Sequence, residues 1–372
     1  MAPASENPQA ASPRASFLIN DTSFPPELTI VPRPFAKGSS NGLENSGIPN
    51  YICLARCGGR SGRQVFAPRW EGGAHMGGRN MTTIGFIGLG LMGSGFTKRL
   101  RELDYRVIGH DREAEKVSAA AAWGVEPAGS LAALCAEADI IALCLTTSDA
   151  VASVVTGADG LVASRKLSGR TVVDFSTTEM AVTHQVAAAI EAVGGRFVDA
   201  PVSGGPGAAE TGNLAIMFGG SEPAAKAVTP MLEQLGRATH MGAIGTGQAT
   251  KLVNQVLCLT NYCVAAEALR LAQAYGVDAA KIPHALEPGL GNSAVLQAIY
   301  PRMVEEDFAP RGYARQILKD FEMLHSATKA QHLALPMSAQ AMTMFRMLVA
   351  QGDGELDGSA VVKLLPKVGR KA

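Results

Sequence analysis

At 372 residues, 47% of them apolar, the chain exceeds what one hydrophobic core usually organises, so more than one folded unit is expected. Thirty-three basic residues balance 33 acidic ones, which excludes the strongly cationic surface of a nucleic-acid binder, and no uninterrupted apolar run approaches the roughly 18 residues that span a bilayer. Six cysteines are too few for a disulfide scaffold and no secretory leader is recognisable, so a cytoplasmic location with free thiols is expected.

Residues 1–80 hold 9 Pro and 10 Gly and sustain no helical or strand period, which predicts a disordered N-terminal extension. Glu6, Asp21 and Glu27 interrupt any acid-poor targeting character, and the extension is expected to be dispensable. Cys53, Cys57 and His75 match no zinc spacing, and no metal site is expected anywhere in the chain.

From Met81 the pattern alternates. Apolar runs at Ile84–Ile87, Arg106–Gly109, Ile140–Leu145, Thr171–Asp174 and Phe197–Asp199 predict strands, with helical spacing between them, as in Met92–Leu103. Continuous apolar runs suit strands buried on both faces, so residues 81–244 are expected to form a parallel, doubly wound α/β sheet. Beyond about Gly247 only helical patterns follow: a long one at Ala249–Tyr275, then Ala279–Leu286, Ser293–Val304, Ala314–Ala330 and Met337–Ala350. Residues 245–372 are therefore expected to form an all-α domain joined to the sheet by the long helix.

Gly88-Leu89-Gly90-Leu91-Met92-Gly93 follows the first strand and opens a helix, the context in which G-x-G-x-x-G binds a dinucleotide. Gly88 would make the tight turn, Gly90 would admit the pyrophosphate, and Gly93 would let helix and strand pack closely. The helix N-terminus, through Leu91 and Met92, would present free N–H groups to the phosphates. Asp111, at the end of the second strand, would accept from the ribose hydroxyls and repel a 2′-phosphate, which favours NAD over NADP. Its neighbour Arg112 could offset that repulsion, and Asp111 could instead merely cap the next helix.

Four segments resemble the β-hydroxyacid dehydrogenase family, which includes 3-hydroxyisobutyrate dehydrogenases and 2-hydroxy-3-oxopropionate (tartronate semialdehyde) reductases. They are Phe86–Gly93; Asp199-Ala200-Pro201-Val202-Ser203-Gly204-Gly205; Gly245-Thr246-Gly247 leading to Lys251-Leu252-Val253-Asn254-Gln255; and Lys319-Asp320. The resemblance spans essentially all of 81–372. It implies a Rossmann-type domain, NAD or NADP as cofactor, a short 3-hydroxy acid or its semialdehyde as substrate, and a homodimer or homotetramer. Residue by residue, it implies Lys251 as general acid–base, Asn254 as the group that orients the substrate or holds the lysine, and Thr177 and Lys319 near the cofactor; from the residues themselves, the small turn Ser203-Gly204-Gly205 after a strand can hold a carboxylate.

These roles also make chemical sense. Oxidising an alcohol requires a group to take the hydroxyl proton, and burial or a nearby cation lowers a lysine pKa toward working pH. A small-residue turn presents backbone N–H groups to an anion. Relatives often carry Leu-Pro-Asn after the third strand; here Leu145-Thr146-Thr147 stands, so Leu145 and Thr146 are expected at the cofactor from a loop that lacks proline. Gln255 stands where relatives vary between Asn and Gln. Arg315, one turn before Lys319, is expected to be a solvated helix residue. Two alternatives stay open: an imine reductase-like enzyme, against which Lys251 speaks, and a non-catalytic dinucleotide-binding module.

Overall fold

The computed structural model describes residues 28–30, 53–55 and 82–367. The chain divides into two compact units, Met1–Gly77 and Gly78–Ala372. In the first unit, strands β1 (Leu28–Ile30) and β2 (Cys53–Ala55) pair antiparallel. The rest of the expected extension, with Cys57, His75 and Met81, lies outside the described residues.

The second unit opens as the strand–helix rhythm predicts. β3 (Thr83–Ile87), α1 (Leu91–Glu102), β4 (Arg106–His110), α2 (Ala114–Ala121), β5 (Glu126–Pro127), α3 (Leu131–Glu137) and β6 (Ile140–Leu143) follow in turn. Next come α4 (Ser148–Thr156), β7 (Thr171–Asp174), α5 (Met180–Ala192), β8 (Arg196–Asp199), β9 (Val202–Ser203) and α6 (Gly205–Thr211). β10 (Leu214–Gly220), α7 (Glu222–Leu235) and β11 (Gly236–Gly242) close the sheet, whose order is β11-β10-β8-β7-β6-β3-β4-β5.

From β8 to β5 every neighbouring pair is parallel. The sequence is buried on both faces there because alternate residues serve opposite cores. Ile84, Phe86, Ile140, Ala142 and Val173 pack with Phe96, Leu100 and Phe175 on one side. Ile87, Ile141, Leu143 and Val172 pack with Val186, Ile190 and Phe197 on the other. The expectation of a wholly parallel sheet is corrected at one end: β10 runs antiparallel to β8 and β9, and β11 parallel to β10. The chain between β8 and β10 is spent on β9 and on α6, which packs on α1 at Gly95, rather than on a crossover helix over the sheet.

After Gly242 the described elements are helical. α8 (Thr246–Ala274) is followed by a 3₁₀ turn, α9 (Ile282–Leu286), α10 (Ala294–Ala298), α11 (Tyr300–Glu305), α12 (Ala314–Ala330) and α13 (Pro336–Ala350), with 3₁₀ turns to Leu364. The single helix expected over Ser293–Val304 breaks at Ile299, because Pro301 in the first turn of α11 has no N–H to continue α10. A third core, including Leu259, Leu269, Tyr300, Phe321 and Phe345, holds these helices together. By length and composition α8 could cross a membrane. Its inward face, however, buries Gln248, Lys251 and Gln255 against the rest of the unit.

Candidate active site

The glycine loop lies where the strand order reverses, between β3 and β6. Gly88 has φ 96°, and a Cβ there would stand 2.3 Å from the Cys144 carbonyl oxygen. Only glycine meets both demands. A Cβ on Gly93 would stand 1.9 Å from the Gly88 carbonyl oxygen, so α1 rises directly against the turn. Gly90 has nothing within 4 Å of its Cβ direction, and no side chain caps α1. Leu91 is exposed and Met92 half-buried beside this opening. The open ground at Gly90 and the uncapped helix end fit a pyrophosphate.

Asp111 does not cap α2, whose N-cap residue is Glu113. One Asp111 carboxylate oxygen accepts from the Leu89 N–H at 2.8 Å and the other from the Glu113 N–H at 2.9 Å. The carboxylate thereby ties the second strand end to the glycine loop, and its remaining lone pairs are free to accept from hydroxyls. Arg112 is almost fully exposed, with Nε 3.9 Å from Glu113 Oε1.

The loop after β6 is held without proline. The Leu145 N–H donates to Ser176 Oγ at 2.8 Å, and Thr147 Oγ1 accepts from Ala150 N–H at 3.1 Å, capping α4. Thr146 and Thr147 are exposed, and Thr177, in the loop after β7, is half-buried. Lys319 Nζ reaches from α12 to the Thr146 carbonyl oxygen at 3.3 Å, so a helical-region cation meets the loop at the strand ends.

Lys251, in the second turn of α8, is buried, and its Nζ donates to the Val202 carbonyl oxygen at 2.7 Å. That contact sets the amine against Ser203-Gly204-Gly205, whose two glycines have φ 134° and 76° and turn β9 into α6. Burial lowers the Lys251 pKa from the usual lysine range; Asp320 acts in the opposite direction and Lys319 adds to the lowering. Lys251 and Asn254 are not hydrogen-bonded to each other. Asn254 Nδ2 instead donates to Gln255 Oε1 at 2.9 Å, and Gln255 Nε2 donates to Asp320 Oδ2. Asp320 Oδ1 lies 3.1 Å from Lys319 Nζ. The polar line thus runs from Asn254 through Gln255 and Asp320 to Lys319 and Thr146. Arg315 takes no part: it pairs with Glu355 at 2.6 Å and stacks over Tyr313.

Sequence reasoning passed over three groups that join these pieces. Asp199, at the end of β8, accepts from Gly245 N–H and Gln248 N–H, both at 2.8 Å, and so caps α8. Asp174, its register partner on β7, accepts from Ser176 N–H and Thr178 Oγ1, both at 2.9 Å. The Gln248 amide enters the β7 loop: Nε2 donates to Ser176 O at 2.8 Å and Oε1 accepts from Thr178 N–H at 3.1 Å. Asp174 and Asp199 each stand at the end of a predicted strand in the sequence. Gln248 had no signal beyond its place three residues before Lys251.

Residues 83–246 match the family described as the NAD binding domain of 6-phosphogluconate dehydrogenase. Residues 245–365 match the family described as NAD-binding of NADP-dependent 3-hydroxyisobutyrate dehydrogenase. The 2-hydroxy-3-oxopropionate reductase of Escherichia coli (strain K12) is 33% identical over 287 residues, 76% of this chain and 96% of its own length. A crystal structure of 3-hydroxyisobutyrate dehydrogenase from Salmonella typhimurium superposes with TM-score 0.70 at 27% identity, covering 76% of this chain and 100% of that one. A protein called Psf3, solved with NADP⁺ and 2-OPP, superposes with TM-score 0.72 at 26% identity over 76% of this chain and 100% of its own. Sheet, glycine loop and matches together define an oxidoreductase that uses NAD or NADP. The chain belongs to the β-hydroxyacid dehydrogenase family.

Proposed function

We propose that this enzyme interconverts a short 3-hydroxy acid and its semialdehyde, with Lys251 as the general acid–base. The observation that carries the proposal is the placement of the Lys251 amine. It is buried, lowered in pKa, and bonded to the carbonyl that precedes Ser203-Gly204-Gly205, at the strand ends where ligands bind a doubly wound sheet. The open face at Gly90, with the N–H groups of Leu91, Met92 and Gly93, would hold the pyrophosphate, and Asp111 would accept from the adenosine ribose. Leu145, Thr146, Thr177 and Lys319 would line the nicotinamide end. When bound, NAD(P) supplies the hydride acceptor for oxidation and the donor for reduction.

In oxidation, neutral Lys251 takes the proton of the substrate hydroxyl as the hydride leaves the same carbon; in reduction its ammonium returns that proton to the forming alkoxide. The N–H groups of the Ser203–Gly205 turn hold the substrate carboxylate, and Asn254, oriented by Gln255, fixes the hydroxyl side. A bound substrate displaces the Val202 carbonyl as the amine's partner. The choice of NAD over NADP is proposed from Asp111 alone. Outward-facing Val253, Leu257, Val264 and Leu271 on α8, with Tyr275 just after it, support assembly into a homo-oligomer. The free thiols of Cys135, Cys144, Cys258 and Cys263 support a reducing, cytoplasmic setting. A panel of short 3-hydroxy acids and semialdehydes assayed with both cofactors tests the substrate class: turnover confined to compounds with a carboxylate one carbon removed from the reacting carbon is expected, and turnover of cyclic imines alone would overturn it.

A further inference from the structure

We propose that Gln248 is a positioning residue for hydride transfer, setting the distance between the cofactor-side loops and the Lys251 amine. This inference rests on the proposed role of Lys251. The Gln248 side chain is 2% exposed, and both ends of its amide are spent on one loop, on the Ser176 carbonyl oxygen at 2.8 Å and on the Thr178 N–H at 3.1 Å. Those contacts bracket Thr177. Ser176 in turn receives the Leu145 N–H through its hydroxyl, so the loops after β6 and β7 are joined to the same amide. On the other side, the Gln248 backbone N–H is fixed by Asp199, and Gly247 packs so close to β8 and β10 that a Cβ would stand 2.6 Å from the Met217 carbonyl oxygen. Lys251 follows three residues later, about one helical turn on. One amide therefore spans from the loops at the nicotinamide end to the turn of α8 that carries the acid–base amine.

A bridge with both hydrogen bonds made, buried in a site of low dielectric, resists sliding, because a shift of either loop or helix leaves a donor or acceptor unpaired. The hydride must leave the carbon toward a ring on the loop side while the proton leaves the hydroxyl oxygen on that carbon toward an amine on the helix side. An error of about 1 Å between those two anchors costs on the order of a hundredfold in rate. Gln248 touches neither reacting group in this arrangement; it acts through the elements that hold them.

The test uses the full-length enzyme with 3-hydroxyisobutyrate or glycerate, each also carrying deuterium at C3. Gln248→Met removes both hydrogen bonds at similar volume. Gln248→Glu keeps the shape but sets a carboxylate oxygen against the Ser176 carbonyl, and it serves if the first variant fails to fold. For either folded variant, NAD(P)H fluorescence should show one cofactor bound per chain, with KM for the hydroxy acid within about threefold of wild type. Turnover should fall about tenfold to a hundredfold, and the primary deuterium isotope effect on kcat should rise above the wild-type value as hydride transfer becomes slower than the other steps. A merely structural role would lower the fraction able to bind cofactor while leaving turnover per bound cofactor and the isotope effect at wild-type values, and that result overturns the inference. Lys251→Ala in the same assay separates the two claims. If it is inactive while the folded Gln248 variants match wild type, only the positioning role falls; if it retains wild-type turnover, the acid–base reading falls and the positioning role with it.

Discussion

Asp111 holds two backbone N–H groups and still has lone pairs to offer, so its substitution has two separable consequences. Asp111→Ser should lower kcat/KM with NAD, by loss of ribose hydrogen bonds, and raise that with NADP, by relief of charge repulsion. Steady-state kinetics with each cofactor check this, and an unchanged NAD/NADP ratio would contradict it. Gly93 is the tighter constraint: with a Cβ only 1.9 Å from the Gly88 carbonyl oxygen, Gly93→Ala forces the turn and α1 apart. A loss of about 1–3 kcal/mol in denaturant unfolding is expected, together with weaker cofactor binding. At this scale the glycines, Asp111 and Lys251 were legible as candidates, because each residue type suits its proposed task at a recognisable spacing. Gln248 was not, and Asp320, though part of the Lys319-Asp320 segment, gave no sign of its bond to Gln255. A polar residue on a helix normally reads as solvated, and nothing local reveals that it is buried against a strand end or loop far away in the chain.

Among elements, β3, β4, β6, β7 and β8 of the parallel part of the sheet were legible, and β10 and β11 at its other end were passed over. β11 is an edge strand whose residues are largely exposed, so it shows no apolar run to find. β10 carries an apolar run, Leu214–Phe218, that the strand reading passed over; only its antiparallel pairing to β8 and β9 is a long-range fact that the run does not declare. The join between sheet and helices depends on Asp174 and Asp199, whose carboxyls burial pushes up to about 6. Each is raised above its unfolded value near 4, so the folded state binds more protons than the unfolded state between those limits. The stability these groups contribute is fully present below about pH 4 and is lost as the pH rises through about 6. Asp174→Asn should therefore flatten the fall in urea-unfolding free energy between pH 4 and 6; a slope equal to that of wild type would contradict the assignment.

On the scale of the whole molecule, α8 leaves an apolar stripe uncovered. Leu257, Val264 and Leu271 recur every seven residues with Val253 and Tyr275 beside them, and each is more than half exposed. Such a seam on a 29-residue helix is expected to be covered by a second copy. Light scattering at micromolar concentration should give a dimer or larger, and Leu257→Lys should shift it toward monomer; a wild-type monomer would contradict this. The family match begins at residue 83, and a chain starting at Met81 is expected to keep full turnover.

In the proposed mechanism the sheet holds the cofactor and α8 delivers the proton acceptor, so Lys251 is where the two meet. Lys251→Ala is the most direct test. NAD(P) binding should stay near normal, because the glycine loop and Asp111 lie on the sheet side, while kcat should fall by about 10²–10⁴. Lys251→Arg should not restore it, since arginine stays protonated and cannot accept the proton. The rise of alcohol oxidation with pH, which reports the lysine losing its proton, should vanish in both variants. Wild-type turnover in folded Lys251→Ala would contradict the mechanism.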